Sequence, residues 1–349
     1  MHPEPMSLDV ARLRPPDRPG MLRLFTEPQF SYKSFIPDLL DEGEIDALVG
    51  AGTLVCRRQD EVVGLIELEE YPAGYRGHFL LHARFATRVP AALAAATVDR
   101  VLSAWSDCRP LRRVSHTVCT FDQQGLDIAY RAGFSPEGTL DSMVGLGGKR
   151  FGLRYLARRF EDPAWPLTAS VPHPAPQRAI VDVPSVASAG FPLPAPAGSA
   201  LSGSRSEHSS LVARALGRDD LLSCLDDPDL GPVSSNGADG PPGARVLVDA
   251  SLGVARLSEI DRIHRTVRLS VASRHPIGDE RTATLIEAAV TTALGRLNLH
   301  RVYGFQAEDE QAGKVLRRVG FEPELSLPNH TWRQGRPAPR TVWARVVSR

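Results

Sequence analysis

Two groups of side chains could move a proton. Glu67, Glu69 and His82 fall in alternating apolar stretches of the first half of the chain, and Glu259, Asp261 and His264 in similar stretches of the second. A carboxylate or a neutral imidazole held near a reacting amine can serve as general base. No motif surrounds either group, and such residues on a strand are most often solvated. The four cysteines, Cys56, Cys108, Cys119 and Cys224, have no metal-ligand spacing, so no metal site is expected.

The elements that would position these residues are legible through an internal repeat. Residues 111–140 read LRRVSHTVCTFDQQGLDIAYRAGFSPEGTL, and residues 299–327 read LHRVYGFQAEDEQAGKVLRRVGFEPELSL. With one residue removed from the first copy, Arg113-Val114 aligns with Arg301-Val302, Asp122 with Asp309, Gly133-Phe134 with Gly320-Phe321, and Pro136-Glu137 with Pro323-Glu324. In each copy a β-branched run gives way to helix-spaced apolar residues, which predicts strand, short helix, strand. Gly133 and Gly320 stand where a left-handed helix cap is needed. Ahead of the first copy the pattern predicts a strand over 10–14, a helix capped by Asp17, a helix over 41–49, a hairpin over 53–58 and 62–69, a strand over 77–84 and a long helix over 90–105; a closing strand follows over 147–159. Ahead of the second copy it predicts an amphipathic helix over 209–225, a hairpin over 244–249 and 252–258, a strand over 265–273 and a long helix over 282–297.

The repeat unit, strand with Arg-Val, then helix, then GF-SP-EG-TL at 133–140, resembles the second half of the GNAT superfamily of acyl-CoA N-acyltransferases, in its ribosomal-protein acetyltransferase branch. The second copy departs where Leu325 follows Glu324, a place at which the family favours Gly. The resemblance implies an α/β (α+β) fold of two tandem GNAT-like domains, each a mixed, mostly antiparallel sheet flanked by helices. It implies acetyl-CoA or another acyl-CoA as donor, with the arm held where the fourth strand splays from its neighbour and the pyrophosphate at the N-terminus of the long helix, where free N–H groups and the helix dipole favour an anion. That places 87–92, with Arg88 and Ala92, at the donor loop of the first domain and 275–280 at that of the second. Pro90 replaces a Gly in the first loop and removes a donor. In the second, Asp279 and Glu280 stand beside Arg274, Gly278, Arg281 and Thr282, which form an anion cradle. The second domain is therefore the expected donor site. The family's Asn is Asp122 and Asp309 here, and its acid position holds Ala129 and Leu316, with Tyr130 one place off. Glu67, Glu69, His82, Glu259 and His264 are the candidates for the base.

The chain is 349 residues long, with zero formal net charge, which supplies no electrostatic footprint for nucleic acid or an anionic membrane. No signal-like start and no bilayer-length apolar run is present, so a cytoplasmic location is expected. Composition divides the chain into domains at 1–162 and 206–349, joined by a Pro/Ala/Ser/Gly-rich linker at 163–205 with an embedded strand, and a polar loop is expected over 226–243. The expected activity is N-acetyl transfer to a small amine or a protein N-terminus, one domain being active and the other degenerate. The alternatives are an inactive scaffold of this fold and an amide-forming enzyme with a carrier- or tRNA-bound donor.

Overall fold

A computed structural model describes residues 7–27, 30, 32–33, 41–50, 52–70, 77–160, 222–225, 245–249, 251–307, 309–333 and 336–347. The expected linker, its embedded strand and the loop over 226–243 lie outside these residues. The first half runs β1 (Asp9–Arg12), α1 (Arg18–Phe25), α2 (Glu42–Leu48), β2 (Leu54–Arg58), β3 (Glu61–Glu70), β4 (His78–Phe85), α3 (Ala91–Ser106), β5 (Arg113–Cys119), α4 (Gln123–Arg131), β6 (Ser135–Leu146) and β7 (Lys149–Arg159). Its strands form one sheet in the order β1-β2-β3-β4-β5-β7-β6, in which only β4 and β5 pair in parallel. The second half contains β8 (Leu222–Leu225), β9 (Arg245–Asp249), β10 (Gly253–Asp261), β11 (Thr266–Ser273), α5 (Glu280–Thr291), β12 (Arg301–Ala307), α6 (Glu310–Arg318), β13 (Glu322–Arg333) and β14 (Arg336–Val346). It forms a second sheet in the order β13-β14-β12-β11-β10-β9, with β8 added against β11. The fold is thus α/β, with two mixed, mostly antiparallel sheets flanked by helices.

The local signals behave alike in the two copies. Asp122 accepts from Gly125 N (2.9 Å), and Asp309 from Gln311 N and Ala312 N (2.8 and 3.1 Å), so each aspartate satisfies orphan donors at the start of its helix. Gly133 and Gly320 take φ of 81° and 78°, and the next residues, Phe134 and Phe321, donate to Ala129 O and Leu316 O. That six-to-one bond is the Schellman closure, and it turns the chain sharply into β6 and β13. Even the bulges match: Ser142 and Asn329, equivalent in the repeat, have φ of 56° and 53°.

Three expectations change. Asp17 does not cap α1 through its side chain; its carboxylate accepts from Arg14 N and from the buried Arg57 guanidinium (both 2.8 Å), and the Arg57 bond holds its pKa low. Leu222–Leu225, within the expected helix over 209–225, is instead a strand, because an open strand edge on β11 offers its backbone partners. The long helix of the second half ends at Thr291 and widens into one π-helical turn, Thr292–Arg296.

The two halves share a core in which Leu140, Val144 and Tyr155 pack with Tyr303, Phe305 and Leu327. A reciprocal clamp stands beside it. Arg113 forks onto Glu137 (Nη1 to Oε1, 2.8 Å) and also donates to Pro328 O of the other half (2.8 Å); Arg301 forks onto Glu324 (2.8 Å) and donates to Asp141 O (2.8 Å). Pro328 and Asp141 are equivalent positions in the repeat, so each half gives the other the same bond. Gly138 and Leu325, also equivalent, meet across this contact: a Cβ on Gly138 would lie 2.3 Å from Leu325 Cδ1. The Leu that departs from the first copy's Gly thereby fills the space its counterpart leaves.

Candidate active site

In the first half β4 and β5 pair from His78–Arg113 as far as Leu81–His116 and then part. The His116 ring sits at the fork, where Nδ1–H donates to Leu81 O (2.9 Å). Burial lowers its pKa to about 4, so this imidazole is neutral at physiological pH. Beyond the fork opens a cavity of about 470 Å³, lined by Leu81–Arg84 of β4, His116–Cys119 of β5, Asp122 and Gly125 at the start of α4, and side chains of the second half. A cavity of this size matches the usual range for small-molecule sites, roughly 300–1,000 Å³.

The first proton-transfer group is brought together at the cavity's edge. His82 lines the cavity and pairs in register with Glu67, and its Nε2 lies 3.1 Å from Glu69 Oε2. The His82 bond lowers the pKa of Glu69, which is therefore ionised at neutral pH and can only accept. Nε2 must then carry the hydrogen, leaving Nδ1 as the basic nitrogen. Glu67 has a different task. Burial raises its pKa, but the Thr53 hydroxyl and Lys33 (Nζ at 2.9 Å) outweigh that and keep it low, while the Tyr32 hydroxyl donates from 3.2 Å. With those partners Glu67 anchors the Tyr32-Lys33 segment against the sheet.

The second group lines the same cavity from the other side. Glu259 accepts from Arg268 Nη1 (2.8 Å) and from the Tyr303 hydroxyl (2.6 Å). Burial and the adjacent Glu259 carboxylate push the Tyr303 pKa well up, so it stays a neutral donor. His264 is buried; its Nδ1 accepts from Gly145 N (3.1 Å) and its carbonyl from Arg150 (2.6 Å), which ties it to β6 and β7 of the first half.

Each helix start at the expected donor loops carries a side-chain carboxylate. Pro90 is the N-cap of α3 and Ala92 is exposed in its first turn. Arg88 forks onto Glu27 and Glu61 (Nη2 to Glu61 at 2.8 Å), and Glu27 also accepts from Thr87 N (3.2 Å). Asp122 is held by Arg84 as well as capping α4. In the second half Asp279 caps α5, accepting from Arg281 N (2.8 Å), and Thr282 is buried with its hydroxyl 2.8 Å from Ser273 Oγ. Gly278 faces Gln311, whose Oε1 would lie 3.4 Å from an added Cβ, and Arg281 Nη1 is 3.4 Å from His275 Nδ1. Arg274 lies at the end of β11, its N–H donating to Leu252 O. Asp309 is occupied as the cap of α6.

The clefts of the two halves differ in one respect. In the second half, β11 and β12 pair from Thr266–Arg301 to Arg268–Tyr303 and then part, but β8 enters beyond that point and pairs with Val271, Ala272 and Ser273 of β11. The chain's own backbone therefore takes the edge whose counterpart on β4 has no strand paired with it among the described residues. Sequence reasoning missed β8, whose run of four residues is too short to show a period, and it missed Tyr32, Lys33, His116 and Tyr303. The last two lie inside the repeat, where His116 and Tyr303 break the apolar run, and that break was the available signal.

No protein-family model matches the sequence, and no curated protein matches it. Among the described residues no helix is long and apolar enough to cross a membrane. Solved structures similar to this chain include an acetyltransferase of the GNAT family from Streptococcus pneumoniae (19% identity over 44% of this chain and 100% of that one, TM-score 0.37). A ribosomal-protein-alanine N-acetyltransferase from Brucella melitensis is similar at 15% identity over 44% of this chain and 100% of its own, TM-score 0.36. A spermidine N-acetyltransferase chimera that includes Vibrio cholerae sequence is similar at 18% identity, over 44% and 95%, TM-score 0.37.

Proposed function

We propose that the chain is an acyl-CoA-dependent N-acyltransferase, in the first instance an N-acetyltransferase acting on an amine, and that its chemistry belongs to the first half. The observation that carries this is the parting of β4 and β5 over a cavity lined by His82, whose Nε2 is held by Glu69. The donor supplies an activated acyl group as a thioester. The free edge of β4 suits the amide groups of its extended arm. Glu69 orients His82, and Nδ1 takes one proton from the incoming ammonium; the amine then forms the N–C bond as the C–S bond breaks, and the second proton lost from nitrogen passes through solvent to the leaving thiolate. This moves the proposed donor site from the second half, favoured by Arg274, Gly278, Arg281 and Thr282, to the first, because β8 bridges the second cleft. Arg88, Ala92 and Asp122 are then the donor-side residues, and acceptors are small amines or protein N-termini.

A second reading rests on Glu27. Its carboxylate holds the Thr87 N–H and Arg88, the groups a pyrophosphate would use, and this favours a donor arm without a diphosphate or a scaffold without turnover. Calorimetry with acetyl-CoA and with acetyl-pantetheine separates the readings. Tighter binding of acetyl-CoA, together with turnover that is lost in His82→Ala, supports the acyl-CoA enzyme. Equal binding of both ligands supports the diphosphate-free donor, and no binding of either supports the scaffold.

A further inference from the structure

We propose that the second half reads the acceptor, and that the acceptor is a small aliphatic diamine whose far ammonium is held by Glu259 with Asp261; this rests on the first-half reaction proposed above. The cavity is walled by both halves, so an amine at His82 would extend towards β10 and β12. There β10 carries a bulge between Ser258 and Asp261, and Glu259 sits in it with φ of 51°. The corresponding run of β3, Leu68 to Glu70, pairs with β4 without a shift. Bulges re-aim side chains, and a non-glycine residue at positive φ carries a cost that other contacts must offset. Here those contacts are Arg268 on Oε1 and the Tyr303 hydroxyl on Oε2, which fix the carboxylate at the cavity wall.

Exposure shows what a ligand would meet. The Glu259 and Asp261 side chains are 53% and 37% exposed, whereas Lys33, Arg84 and Arg268 are 17%, 5% and 11% exposed, and Arg340 is buried over the Phe305 ring. Among the charged groups of the lining, Glu259 and Asp261 are thus more exposed than these cations, while the third carboxylate, Asp122, is 10% exposed and held by Arg84. Oε1 of Glu259 takes the Arg268 bond and Oε2 the Tyr303 bond, and since each carboxylate oxygen can accept two, both have capacity for an ammonium. Asp261 adds a second carboxylate, whose Oδ1 accepts from the Ile263 and His264 N–H groups and whose Oδ2 lies 3.8 Å from His264 Nε2.

The test compares an aliphatic diamine with the monoamine of the same chain length. In steady-state acetylation the diamine-over-monoamine ratio of kcat/KM should exceed one in the wild type and fall roughly 10- to 100-fold in Glu259→Gln, the worth of a hydrogen bond between charged groups. Asp261→Asn should lower the ratio in the same direction. A ratio unchanged in both variants, or a wild type that does not prefer the diamine, overturns the assignment. Calorimetric binding of the diamine alone separates failure here from failure of the proposed reaction. Binding that weakens in Glu259→Gln supports the acceptor site even without turnover, and no diamine binding to the wild type overturns it.

Discussion

Gly138 and Leu325 occupy the same place in the two copies and meet across the contact between the halves, which makes their pairing open to a double-mutant cycle. A methyl group added at Gly138 would lie 2.3 Å from Leu325 Cδ1, about 1 Å inside ordinary contact. Leu325 is 5% exposed within the shared core and has little room to retreat. Gly138→Ala should therefore cost about 1–3 kcal/mol of overpacking, plus a backbone cost because φ is 156°. Leu325→Ala alone should cost about 2–5 kcal/mol through the void it leaves. In the double variant the added methyl enters that void, so its steric cost disappears while its backbone cost remains in both backgrounds and cancels from the cycle. The coupling should be about 1–3 kcal/mol, with the pair more stable than the sum of the single changes. Equilibrium urea unfolding of the four proteins measures it. Additivity within about 0.5 kcal/mol would refute the account of how the halves fit.

Removing the fully buried partner of the clamp, as in Arg301→Met, leaves the partly buried Glu324 uncompensated and should cost up to about 3–5 kcal/mol in the same unfolding assay. Stability should fall on acidification: His116, His78 and His330 have folded pKa values below the ordinary value near 6.5, chiefly through burial, so the unfolded chain binds more protons as pH drops below about 6.5 and the loss continues towards about 4 for His116. For His78 and His330 the flanking charges on β5 and β14 are cationic, Arg113 and Arg340, joined at His330 by Arg268 of β11, and oppose protonation further. Glu67 and Glu69, held low, lose their contribution over a lower window, as pH falls through their folded values. Denaturation midpoints between pH 7 and 4 check the sign, and a His330→Phe variant should flatten the upper part of the curve. Ser223→Pro removes an N–H from β8 and should weaken its pairing with β11, which faster amide exchange at 271–273 would show.

The parts of this molecule that follow local rules were legible from the sequence. The repeat, the period changes within it and the Gly closures each depend on a few neighbouring residues and appear in the fold, whereas the cap expected at Asp17 gives way to its bonds with Arg14 N and Arg57. The site was legible only in part. Glu69 and His82 alternate towards one sheet face and were found together, but Glu67 shares that face and proves to be an anchor, because its partners Tyr32, Lys33 and Thr53 come from a loop whose course no period records. The departure of Leu325 from Gly was visible, while its reason, a partner brought from residue 138 of the other half, required the tertiary contact. β8 beside the second donor loop was not legible, since strand addition to an open edge depends on the edge rather than on the added sequence.

Amide hydrogen exchange with and without acetyl-CoA tests the central claim most directly, since it reports where a donor lies without altering a residue. The account predicts slower exchange at 82–85 and 117–119, the parted strands of the first half, and no change at 271–280. Protection confined to 271–280, or acetyl-CoA binding that leaves 82–85 and 117–119 unprotected, would contradict it.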